Sequence, residues 1–284
     1  MLMSLILFGQ TSYAGFIDKY PIELFLQLDS DGKARAIYTY TNHDDPILIT
    51  GKLTKGTLAI YEKNEQRKNI ATLTFINFDE KNATNTGIWA NLETLKEFKI
   101  TLTKRFTIEI GDDFEWKNRE ITQSTSSKNQ YFRLVTSKKK GEFYARATSL
   151  KIIEKKSDKL IQTFNIDCKV EGFDNISFGD FNFDGIKDFA IFQDNYTGTN
   201  TTSLYFLFDQ KTNKYIDSKF QGGPLEFDDE TKTIFERNTC CQGRTETNAT
   251  YKIVNNKMVL IEQHCYKWDD KTQELVERKM KDCQ

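Results

Sequence analysis

From residue 20 onward, apolar and polar positions alternate with a period of two. The stretch PIELFLQL (21–28) breaks at DSDG (29–32) and resumes as KARAIYTY (33–40). Alternation sends successive side chains to opposite faces of a strand, and an Asp/Gly cluster between two such runs predicts a hairpin. PILITGKL, GTLAIYEK, IATLTFINF, TGIWANL and EFKITLTK follow, each bounded by Gly, Asn, Asp or Lys. Short strands at regular spacing predict an antiparallel meander that closes as a barrel or sandwich. Helical spacing shows only in NLETLKEF (91–98).

The segment NREITQSTSSKN (118–129) is polar and has no apolar periodicity, which predicts a linker there. Strand-like runs then resume with YFRLVTS, a turn at KKKG (138–141), EFYARATSLKIIEK and KLIQTFNI. SLYFLFD, KYIDSKF, TKTIFER, ATYKIV and KMVLIEQHCYKW complete the chain, so the second half also reads as nearly all β. The expected organisation is a leader over 1–14, an N-terminal β domain over 15–117, and a C-terminal propeller-like or sandwich β domain over 130–284.

Composition supports a folded chain: 284 residues with 38% hydrophobic and 13% aromatic content. Forty Lys+Arg against 41 Asp+Glu leave a formal charge of −1, so no net field draws the chain to nucleic acid or anionic lipid. At the start, MLMSLILFG is an apolar run too short to anchor in a bilayer, and Ser12 and Ala14 have signal-peptidase spacing. No positive n-region precedes it. These residues predict an export signal cut after Ala14 and a periplasmic protein; their other reading is a buried N-terminal strand.

The most chemically pointed stretch is SFGDFNFDGIKDFAIF (177–192), with Asp180, Asn182, Asp184, Gly185 and Asp188 at the spacing D-x-N-x-D-G-x-x-D. Alternate residues of a tight loop can aim at one centre, and converging carboxylates are unfavourable without a cation. Gly185 suits the turn, and Ile186 would add its backbone carbonyl. An all-oxygen set of Asp180, Asn182, Asp184, Ile186 and Asp188 points to Ca2+. The twelfth position is Ile191 rather than Glu and the flanks are strand-like, so a calcium loop between two strands is expected. Asp174 is a candidate for a distant ligand, while DSDG at 29–32 reads as a turn.

All five cysteines, 168, 240, 241, 265 and 283, lie in the second half, and disulfides suit an exported chain. TYKIVNNKMVLIEQHC reads as a hairpin that would join Cys240 or Cys241 to Cys265. No C-x-x-C pair supports zinc. His43 and His264 are far apart, and no G-x-S-x-G elbow or phosphate-cradling loop occurs. Neighbours His264 and Cys265 would face opposite sides of a strand. The acidic stretches at 111–116 and 226–230 read as charged turns, as does Lys138–Lys140 with its basic charge. No catalytic machinery is predicted.

GDFNFDGIKDFAIF, followed by SLYFLFDQKTNKYI and by CCQGRTETNATYKIVNNKMVLIEQ, resembles a family of bacterial periplasmic calcium-binding proteins. That family has β-propeller-like or sandwich domains and includes lysozyme-type inhibitors and immunity proteins. The resemblance covers roughly residues 128–284 and implies calcium at Asp180, Asn182, Asp184 and Asp188. It also implies a protein partner, a peptidoglycan hydrolase or secretion-system effector, blocked by a protruding loop. DNYTGTNTT (194–202) is the candidate loop: Tyr196 would fill a pocket while Thr197, Gly198 and Thr199 bond to catalytic carboxylates. The competing expectation is a calcium-stabilised carbohydrate- or surface-binding module using Tyr196 and Trp268.

Overall fold

The computed structural model of this chain describes residues 9–41, 44–195 and 200–283. It is all β, as the alternation predicts, and divides into two compact units, residues 1–175 and 176–284.

The first unit opens with eight antiparallel strands that form a closed barrel. They are β1 (Gly9–Ile17), β2 (Tyr20–Leu28), β3 (Lys33–Tyr40), β4 (Ile47–Thr54), β5 (Thr57–Lys63), β6 (Asn69–Phe75), β7 (Thr84–Asn91) and β8 (Glu97–Thr107). Their inward positions fill the lumen: Tyr13, Leu24, Ala36, Ile49, Ile60 and Phe75 are all buried. Each large apolar side chain so buried contributes roughly 1.5–3 kcal/mol. The DSDG turn joins β2 to β3 as expected, with Gly32 in the left-handed region at φ 81°.

Closure depends on β1, which pairs with β2 on one side and with β8 on the other. Gly15 stands opposite both Ile22 and Leu102. A Cβ there would lie 2.0 Å from the Thr101 carbonyl oxygen, so only glycine lets the strands meet. The leader boundary is therefore corrected. Gly9–Ala14 are six of the nine β1 residues, and Tyr13 is fully buried. The buried-strand reading of these residues is the one the structure supports; residues 1–8 lie outside the described ones.

Against the barrel's outer face packs a sheet in the order β12-β11-β10-β9. Its strands are β9 (Trp116–Ser126), β10 (Gln130–Lys138), β11 (Arg146–Glu154) and β12 (Leu160–Lys169). Phe25 and Ile37 from the barrel join Ile108, Trp116, Ile121 and Phe173 in the core between them. The linker expected over 118–129 is thus mostly β9. Its polarity hid it, because Gln123 is fully buried with its amide satisfied. Its Nε2 donates to the Gly172 carbonyl at 3.1 Å, and its Oε1 accepts from the Asn175 N–H at 3.0 Å. The helical spacing at 91–98 is equally misleading: those residues end β7, turn, and begin β8.

The second unit holds two sheets. One comprises β13 (Ile176–Gly179), β14 (Asp188–Asn195), β15 (Thr201–Asp209) and β16 (Lys214–Asp217) in chain order. The other comprises β17 (Leu225–Asp228), β18 (Thr233–Cys240), β19 (Thr245–Val254), β20 (Lys257–Asp269) and β21 (Glu274–Arg278). Tyr205, Leu207 and Phe220 are buried with Phe227, Ile253 and Met258 packed against them, so both sheets share one core.

The expected β19–β20 hairpin is present, but the expected disulfide is not. Cys240 ends β18 and Cys265 lies on β20, with β19 paired between them. Two strand spacings are about 9.5 Å, beyond the roughly 7 Å Cα limit of a disulfide. Cys265 instead bonds to Cys283 at a Cα separation of 5.9 Å, and Cys240 bonds to Cys241. Buried Cys168 is in neither bond.

A chain beginning at Gly15 should lose the cooperative unfolding of the first unit, while one beginning at Gly9 keeps it. Urea unfolding followed by Trp fluorescence and amide exchange distinguishes these outcomes; equal transitions would refute the role given to β1.

Candidate metal centre

Residues 180–187 connect β13 to β14, and the alternation that marked them in the sequence now acquires two faces. Two of the odd positions are aromatic and pack on the second unit's core: Phe181 sits 4.9 Å from both Tyr205 and Phe227, and Phe183 lies 6.2 Å from Phe227. Asp180, Asn182 and Asp184, at alternate positions, cap the loop's own backbone. Asp180 Oδ1 accepts from Asp184 N–H at 3.1 Å and its Oδ2 from Gly185 N–H at 2.7 Å. Asp184 Oδ1 accepts from Ile186 N–H at 2.9 Å. Such caps satisfy N–H groups that a tight turn would otherwise leave open. Gly185 takes φ 82°, as its place in the motif requires.

Asn182 ties the loop to the neighbouring sheet. Its Nδ2 donates to Asp184 Oδ2 at 2.9 Å and to Asn256 Oδ1 at 3.0 Å. Asn256 belongs to the two-residue β19–β20 turn, where Asn255 and Asn256 have φ 51° and 58°. Consecutive positive φ values are the type I′ geometry that asparagine tolerates. Nothing in the sequence spacing links positions 182 and 256.

Asp188 behaves differently from the others. It is fully buried, and each oxygen accepts a backbone N–H: Phe181 at 2.9 Å and Phe208 at 2.8 Å. One carboxylate thereby locks the loop to β14 and β14 to β15. Burial pushes its pKa up to about 6; the two N–H bonds oppose that rise, and the charges of Asp184 and Asp180 add to it. The loop therefore concentrates negative charge around a group that burial already disfavours as an anion.

Among the described residues, no three His, Cys, Asp or Glu side chains stand together in a metal-holding group. The donor set still matches a hard cation in kind, being oxygen throughout. A carboxylate oxygen has two lone pairs, so an N–H on one leaves the other for a ligand bond. Asp180, Asn182, Asp184 and the Ile186 carbonyl retain that capacity. Asp188, with both oxygens given to buried N–H groups, serves the fold of the loop first.

The other sequence candidates are placed as follows. Asp174 is engaged elsewhere, accepting from Arg35 at 2.6 Å and from Ser124 at 2.7 Å. Tyr196, Thr197, Gly198 and Thr199 lie outside the described residues, as does His43. The strands that flank the connection are paired as far as Asn195 opposite Thr201. His264 lies 2.7 Å from Glu277 and 3.8 Å from Glu262, and hydrogen bonding to Glu277 raises its pKa. Cys265 beside it is held in its disulfide. Asp228 caps the N–H groups of Glu230 and Thr231, the charged turn expected there. Lys138 departs from expectation: it is 1% exposed, its ammonium donating to the carbonyls of Lys139 and Glu142.

No protein-family model matches the chain, and no curated protein matches it. Three solved structures are similar to it at a low level. A Xanthomonas type IV secretion system related protein shares 14% identity, covering 60% of this chain and 98% of its own, with a TM-score of 0.38. The β-propeller domain of the trilobed protease from Pyrococcus furiosus shares 12%, covering 94% and 84%, with a TM-score of 0.22. A protein from Lactobacillus plantarum shares 9%, covering 95% of each chain, with a TM-score of 0.23. At these scores none carries an argument about this chain, and the resemblance to inhibitor and immunity proteins rests on the residues quoted for it.

Replacing Asp188 by Ala leaves two buried N–H groups without acceptors, a cost of about 2–5 kcal/mol. Asp188→Asn keeps one acceptor and should lose less. Denaturant unfolding of both variants orders them; an Asp188→Ala protein as stable as the parent would show that the lock is dispensable.

Proposed function

We propose that this chain is a periplasmic binding protein that blocks a secreted peptidoglycan-targeting hydrolase, lysozyme-like or a secretion-system effector, and that it does no chemistry of its own. Calcium has a structural role in this reading. Asp180, Asn182, Asp184 and the Ile186 carbonyl hold it, while Asp188 closes the loop behind them. The periplasmic location in this reading comes from the resemblance alone, because Gly9–Ala14 belong to β1.

The observation that carries the reading is the double anchoring of β14 by Asp188. The strand that leads toward Tyr196 is fixed at its origin to the loop before it and to β15 beside it. A rigid base lowers the ordering entropy that a docking segment loses on binding, which is what an inhibitor needs. A cation at the loop would strengthen the same base by offsetting the charge of Asp180, Asp184 and Asp188.

Two measurements test this. Calcium should raise the melting temperature of the second unit relative to chelator, and Asp180→Ala or Asp184→Ala should abolish the difference; equal melting with and without calcium would remove the metal from the proposal. Separately, the immobilised chain should retain a cell-wall hydrolase from secreted and periplasmic extracts and stop that enzyme from lysing purified walls. Binding of the chain to walls alone would favour the carbohydrate-module reading, and release of wall fragments by the chain itself would make it an enzyme.

A further inference from the structure

Between the barrel's outer face and the sheet of β9 to β12, the first unit encloses a cleft of about 430 Å3. That is within the range of small-molecule sites, roughly 300–1,000 Å3. Its charged lining comes from distant parts of the chain: Glu23 on β2, Arg105 on β8, Arg119 and Glu120 on β9, and Arg133 on β10.

These groups form an ordered chain of charges. Arg105 Nη1 is 2.7 Å from Glu23 Oε1, and Arg133 Nη2 is 2.8 Å from Glu23 Oε2. Arg133 Nη1 stands 3.9 Å from Glu120 Oε2, and Lys151 Nζ is 2.6 Å from Glu120 Oε1. Arg119 is committed separately: it pairs with Glu109, donates to the Thr107 carbonyl, and lies 4.4 Å from the Trp116 ring. Two further carboxylates, Asp44 and Asp158, stand beside Glu23 and Arg133.

Two features separate this arrangement from a fastening between sheet and barrel. A fastening needs no adjoining cavity. Moreover, guanidinium donors are left over: the buried Arg133 Nε has no hydrogen-bond partner, and the Arg105 side chain is 48% exposed. A guanidinium offers five donors in a planar fork, and its best acceptor is a planar two-oxygen group.

We propose that this cleft binds a small carboxylate-bearing ligand through Arg105 and Arg133. Glu23 displays the recognition geometry, since its two oxygens are divided between the two guanidiniums. It is also the ligand's internal competitor. An incoming carboxylate meets the exposed donors of Arg105, and Glu23 limits how tightly it is held.

The competitor role makes a distinctive test. Titrating the full chain with succinate, followed by NMR or calorimetry, should show saturable binding. Glu23→Gln should bind succinate at least about fivefold more tightly, because the network's net charge rises and the anion that competes for both guanidiniums is removed. Arg105→Gln should weaken binding about tenfold, the scale of one charge-assisted hydrogen bond. Succinamide, which has the same shape without the charge, should not bind. Melting curves of the two variants establish that they fold. The proposal is overturned if folded parent and Glu23→Gln proteins both fail to bind succinate, if succinamide binds equally, or if Glu23→Gln does not tighten binding. Tighter binding of inorganic phosphate than of succinate would overturn the carboxylate class.

Discussion

A carboxylate taken out of water must find donors to replace it, and in the second unit everything near the candidate site follows from how Asp188 does so. Its two acceptors are given to backbone N–H groups on different elements, Phe181 in the loop and Phe208 on β15. Each bond fixes a direction of the chain. Phe181 is thereby held where its ring meets Tyr205 and Phe227 in the core, and with that ring in place the alternate residues Asp180, Asn182 and Asp184 are left on the polar side. The aromatic packing and the oxygen-rich face are one arrangement seen from two sides, joined by the period of the backbone.

The first unit solves a different problem with the same kind of element. Eight strands closed on themselves have no edges to protect, but closure demands that β1 and β8 approach within backbone contact. Gly15 permits that approach, and Tyr13, two residues earlier, fills the lumen. Because the inward positions are spent on the core, chemistry in this unit is confined to the outer face. There the second sheet covers Phe25 and Ile37 and leaves Glu23 and Arg105 beside the cleft.

This division explains what was legible in the sequence. Period-two runs announce strands wherever one face is apolar, and the barrel strands from β2 onward were read in this way. The D-x-N-x-D-G-x-x-D spacing is equally local, so the loop and its flanking strands could be located. β9 escaped because its buried Gln123 answers to Gly172 and Asn175, some fifty residues downstream, and looks like any surface polar residue until those partners are known. β1 was only the second reading of the chain's start, because Ser12 and Ala14, which pair with Phe25 and Glu23 in the barrel, also have signal-peptidase spacing. The Cys265–Cys283 bond escaped because β21 folds back along the end of β20, a pairing that no local pattern encodes. Asn182 and Asn256 are joined for the same reason: two turns meet, and spacing along the chain is silent about it.

Long-range polar contacts are therefore the part of this structure least visible in the sequence. A strand's outward Arg or Glu costs nothing to leave in water, so its presence alone says little. When Glu23, Arg105, Glu120, Arg133 and Lys151 are gathered from five strands into one half-buried row, leaving them paired becomes a constraint on the fold. Partial burial raises the stakes of every mismatch, because a charge without a partner there is costlier than one at the surface.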